Sequence, residues 1–100
     1  MSEPKVIRVE DPLPAVLPKH RKGLEIAEFD TELVVLETES NRAHHLQGLA
    51  AIVFDACDGR TRSDQLVRQV AEAMGIDEPE AHRQVADLWR TFVRIRLLRD

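Results

Sequence analysis

His44 and His45 are the side chains most able to do chemistry, since paired imidazoles can bind a metal or shuttle protons. Adjacent residues on an extended strand point to opposite faces, so these two cannot hold one ion together. No histidine pair stands at i,i+2 on a strand or i,i+4 on a helix, and the ligand spacing of a metal centre is missing. Ser2, Ser40 and Ser63 fall in a tail, a turn and a helix start, none of them a nucleophile elbow. Gly23, Gly48, Gly59 and Gly75 stand singly, so no glycine-rich loop can cradle a phosphate. Cys57 falls on the apolar face of a helical pattern, the place of an inert buried thiol. Glu25, Glu28, Asp30, Glu32, Glu37 and Glu39 read as a solvated acidic rim. A paired acid and base would need burial to separate their pKa values. The expectation is a chain that is not an enzyme, with no catalytic residue, metal or cofactor.

The elements that must carry these residues fit one domain. The chain has 100 residues, 43% of them hydrophobic, enough for a single core. Trp89, Phe29, Phe54 and Phe92 are its only rings apart from histidine, so aliphatic side chains build most of that core. A net charge of −4 disfavours non-specific attraction to nucleic acid or an anionic membrane. A single cysteine permits no intrachain disulfide and suits a reducing compartment. No apolar run approaches the roughly 20 residues of a membrane span, and the N-terminus lacks a signal pattern. A cytoplasmic protein is expected.

Residues 1–22 read as a flexible tail, because Pro4, Pro12, Pro14 and Pro18 interrupt them. Val6, Ile7 and Val9 form a ready strand within it, and Lys19 to Lys22 a basic cluster taken as solvated. From Leu24 the pattern alternates with a period of two, predicting a half-buried strand. Asp30-Thr31-Glu32 supplies a turn, Leu33 to Leu36 a second strand and Ser40-Asn41 another turn. Arg42 to Leu46 reads as a third strand.

Beyond Leu46 the period becomes helical. Leu49, Ile52, Val53 and Cys57, with Ala50 and Phe54 alongside, predict a first helix ended at Gly59. Thr61 reads as the cap of a second, with Asp64 at the capping-box position; Leu66, Val67, Val70, Ala71 and Met74 line it, and Gly75 stops it. Asp77, Pro79 and Glu80 open a third, predicted from about Glu78 to Ile95. That third helix carries two apolar stripes. One holds Ala81, Val85, Leu88, Phe92 and Ile95; the other holds Ala86, Trp89 and Val93, flanked by His82 and Arg96. Either this wide face packs entirely between the sheet and the other helices, or one stripe builds the core and the other walls a groove. The sequence does not say which does which.

Strand, strand, strand, helix, helix, helix also suits a winged-helix regulator of transcription. Charge argues against it. Leu24 to Asn41, the would-be wing, holds six acidic residues and no basic one, where phosphate contact needs Lys or Arg.

With these features in place, the chain resembles the PqqD-like family of peptide chaperones and precursor-peptide recognition elements. Leu46-Gln47 stands at the strand end and Phe54 is the helix aromatic. Cys57-Asp58-Gly59, Thr61 and the closing Val85, Leu88, Phe92 and Leu97-Leu98 follow in order. The resemblance covers about residues 20–98. It implies an α+β, winged-helix-like fold, a three-stranded antiparallel sheet followed by three helices over residues 23–100. It further implies a non-catalytic chaperone that binds the leader of a ribosomally made precursor peptide in natural-product biosynthesis.

In that mode the leader adds a strand beside the third strand and packs on the third helix. The pairing edge is then Arg42, Ala43, His44, His45 and Leu46. Either Trp89 and Val93, with Arg96 beside them, or Val85, Leu88 and Phe92 form the apolar wall. Arg90, Arg94 or Arg96 would meet an acidic leader residue. The implied partner is a modifying enzyme, a radical S-adenosylmethionine enzyme, a protease or a cyclase. An open strand edge and the Val6 to Val9 segment also raise a homodimer.

Overall fold

Leu33 and Val35 are buried while Val34 and Leu36 are half-exposed, the alternation of a strand covered on one face. This strand, β2 (Glu32–Glu37), is the middle of a three-stranded antiparallel sheet in the computed structural model, which describes residues 12–99. It lies between β1 (Leu24–Phe29) and β3 (Arg42–Leu46). Asp30 and Asn41 adopt positive φ, at 55° and 60°, in the two connecting turns. Asn and Asp tolerate that conformation better than other side chains.

The register sorts the third strand. His44 faces Val35 and His45 faces Val34, so the histidines lie on opposite faces, His44 on the core side. β1 departs from the expected half-buried strand. Apart from the half-buried Leu24 it is exposed on both faces, with Ile26 42% and Phe29 58% accessible. The helical layer buries β2 and leaves this outer strand in solvent.

The helices are α1 (Leu49–Ala56), α2 (Ser63–Met74) and α3 (Glu78–Arg94). Phe54 sets the rotation of α1. Its ring is fully buried, edge-on to Phe92 at 5.4 Å and stacked on His20 at 3.9 Å. Ala51, Val53 and Cys57 are therefore buried with it, and Ile52, expected on the inner face, is turned outward.

α2 corrects the expected cap. Arg62, not Thr61, stands at its N-cap and makes no side-chain cap bond. The Thr61 amide and hydroxyl donate instead to the Asp58 carboxylate, at 2.7 and 3.0 Å. An orphan amide at the helix start is satisfied from elsewhere, since Ser63 N–H donates to the Ala15 carbonyl at 2.9 Å. Met74 is also more exposed than a lining residue. α3 begins as read, with the Glu80 N–H bonded to the Asp77 carboxylate at 2.9 Å.

Residues 13–22 are not the flexible approach that their prolines suggested. Leu17 is fully buried, its N–H bonds the Thr61 carbonyl and its carbonyl accepts from Gly59. Arg21 N–H donates to Leu97, and Arg99 N–H donates to Lys19. The segment threads between the α1–α2 turn and the C-terminal residues, and proline does not prevent this because other residues supply the donors. The Val6 to Val9 strand expectation lies outside the described residues.

Candidate functional site

Because β3 is the last strand of the sheet, it pairs with β2 and with no other strand among the described residues. A groove of about 680 Å³ lies beside it. Arg42 and His44 of β3 form one wall, and Arg94, Ile95 and Arg96 at the end of α3 form the other. Arg21, Glu37 and Glu39 complete the lining.

A bonded triad runs through the groove. Glu37 accepts from Arg21 at 2.6 Å and is 2.7 Å from the His44 imidazole. The Glu37 side chain is only 13% exposed. The hydrogen bond with His44, helped by Arg21, holds its carboxyl below the usual carboxylate value although burial opposes this. Arg42 and Arg96 have no ion pair or side-chain hydrogen bond among the described residues.

The site residues expected from sequence separate into three groups. Arg42, His44 and Arg96 line the groove. Ala43 and His45 share the strand but face the other side of the sheet, where His45 meets Glu32 at 3.1 Å. Leu46, Leu88 and Val93 are half-buried and pack against the core, outside the groove lining. Val85, Trp89 and Phe92 are core residues. Trp89, one of the two candidates for the apolar wall, is therefore not exposed to the groove, because its stripe also closes the core. Its indole N–H is buried with no acceptor among the described residues.

Sequence reasoning passed over Arg21 and Glu37 as groove residues. Neither has a local signal, for they come together only when residues 13–22 dock against the sheet. Cys57 behaves as an inert side chain. It is fully buried, its thiol meets the Val53 carbonyl, and burial pushes the thiol pKa up to about 12. A second hollow, about 340 Å³ and apolar, lies between α1 and α2 around Leu49, Ile52, Leu66 and Met74. It borders no strand edge.

The profile of the family described as coenzyme PQQ synthesis protein D (PqqD) matches residues 32–98, and the chain belongs to that family. Two solved structures share the fold. One is described as TbiB1 in complex with the TbiA(beta) leader peptide, with a TM-score of 0.72 and 20% identity over 80% of this chain and 93% of that one. The other, lasso peptide synthetase B1 complexed with the leader peptide, has a TM-score of 0.73 and 18% identity over 82% and 96%. No curated protein matches the chain by sequence.

Proposed function

We propose that this chain is a non-catalytic peptide chaperone that captures the leader of a ribosomally made precursor and presents it to a modifying enzyme. The observation that carries this reading is the edge of β3, unpaired among the described residues and bordering a groove closed by α3. An extended peptide on that edge gains main-chain hydrogen bonds, and the groove selects its side chains. Membership of the PqqD family supports the reading, as do two fold relatives whose descriptions include a leader peptide. Micromolar binding corresponds to about −8 kcal/mol, within reach of a short added strand with a few buried anchors.

In this reading Arg42 to Leu46 is the pairing edge, and Leu88, Val93 and Arg96 are the α3 side of the site. The modifying partner is a radical S-adenosylmethionine enzyme, a protease or a cyclase in the cytoplasm. The same edge pairs two copies into a homodimer when no peptide is bound. No described helix is long and apolar enough to cross a membrane. DNA binding is the poorer reading, because the β1–β2 hairpin and its exits bear six acidic residues and no basic one.

The test is an amide chemical-shift titration with the leader of a short precursor peptide, to be sought among the genes beside this one. Shifts are expected in residues 41–47 and 82–97. Shifts confined to α1 and α2, with β3 silent, would overturn strand addition.

A further inference from the structure

α2 and α3 end in the same way with different residues. After α2, Ile76 N–H bonds back to the Ala71 carbonyl, and the residue between helix and return is Gly75 at φ 66°. After α3, Leu97 N–H bonds back to Phe92, Arg96 N–H bonds to Val93, and the left-handed position is Arg96 at φ 61°. Glycine is the usual occupant of this position because a Cβ is disfavoured there. An arginine held in left-handed backbone points to a use for its side chain.

The position of that side chain supplies the use. Arg96 lines the groove together with Arg94 and, across from them, Arg42 on β3. Of the other charged groups facing the groove, Glu37 is engaged by Arg21 and His44, while Glu39 lies at an exposed position. The groove therefore concentrates cationic groups in a chain whose net charge is −4. Arg42 and Arg96 have no anionic partner among the described residues.

We infer that Arg42 and Arg96, with Arg94 beside them, form a carboxylate subsite that fixes the register of the bound peptide on an Asp or Glu side chain. This rests on the peptide-binding reading above and names the chemistry that the peptide must carry. A guanidinium pair on opposite walls suits a carboxylate, whose oxygens accept two donors at once. One anchored acid sets which residues of the added strand face the groove, since a slip of one residue reverses every side chain.

The experiment is selection of a displayed library of random peptides on the full-length protein, followed by affinity measurements on the recovered peptides. Enrichment of Asp or Glu at one fixed position is expected. Replacing that residue by its amide should weaken binding about tenfold, in keeping with a charge-assisted hydrogen bond. Arg96→Gly should weaken it to a similar degree while raising the melting temperature by a few degrees, because glycine relieves the left-handed backbone. Arg96→Lys should retain most of the affinity. Peptides enriched without an acidic position, or bound equally by Arg96→Gly, would overturn the subsite and leave peptide capture standing. A library that enriches nothing would overturn both.

Discussion

The Arg21 guanidinium and the Glu37 carboxylate meet at 2.6 Å on the lining of the groove. Through this pair a segment near the N-terminus is joined to the central strand. Arg21 Nε also donates to the Arg96 carbonyl at 2.5 Å, and Glu37 holds His44 of the edge strand. One carboxylate thus gathers the edge strand, the turn after α3 and the entering chain. The site is held by the same contacts that close the fold.

Those contacts predict an acid-sensitive groove. The Glu37 carboxyl lies below its ordinary value of 4.5, chiefly through its bond with His44. A carboxyl depressed in the folded state contributes stability that is present above the unfolded value and lost as pH falls through the folded one. Glu37→Gln should therefore reduce stability at neutral pH and flatten its decline below about pH 4.5. Urea unfolding midpoints of both proteins, compared at neutral and acid pH, check this. Glu80, held down to about 2 mainly by Arg83, titrates in both proteins, so the difference between them isolates Glu37. An unchanged acid limb would show that the triad does not couple to folding.

The two helix endings give a paired prediction. A Cβ on Gly75 would meet no atom within 4 Å, so its φ of 66° is the only obstacle to a side chain. Gly75→Ala should cost about 1–2 kcal/mol from the left-handed backbone alone. That corresponds to a melting point lower by about 4–8 °C per kcal/mol for a domain of this size. Thermal melts of this variant beside Arg96→Gly should move in opposite directions.

Much of this arrangement was legible in the sequence, and the misses share one cause. The order of six elements, the two turns and the Asp77 cap follow from local patterns, and the structure agrees with them. Opposite faces for His44 and His45 follow from strand geometry alone. What the sequence hid is long-range. Proline content made residues 13–22 look like a tail, but Leu17 and His20 find partners more than thirty residues away. For the same reason Ile52, expected inside, is exposed, and the sequence left open that Trp89 is buried. Periodicity shows that a helix has an apolar face, while its rotation is set by what packs on it, here Phe54 against His20 and Phe92.

The docked segment makes its own prediction. Leu17 is fully buried among core residues, whereas Val16 next to it is 42% exposed. Leu17→Ala should destabilise the protein by about 2–5 kcal/mol, the range for deleting a buried leucine side chain. Val16→Ala should change stability by less than about 0.5 kcal/mol, as surface substitutions do. Denaturant melts decide the matter. Equal and small effects would mean that residues 13–22 are peripheral to folding after all.

The last prediction separates core from wall on α3. Trp89 is 8% exposed and Val93, one turn further on, is half-buried. Trp89→Ala should cost about 3–5 kcal/mol and act on binding only through loss of the fold. Val93→Glu places a carboxylate at a half-buried position next to Arg94 of the groove lining, where its flexible stem can carry the charge to solvent. It should leave the circular dichroism spectrum and melting curve nearly unchanged. In the peptide-binding reading it should weaken leader affinity at least about tenfold, because an apolar contact is replaced by a hydrated charge. Fluorescence anisotropy with a labelled leader measures this directly. Full affinity in a folded Val93→Glu protein would move the α3 wall away from Val93, leaving Leu88 and the arginines at the helix end to hold the peptide.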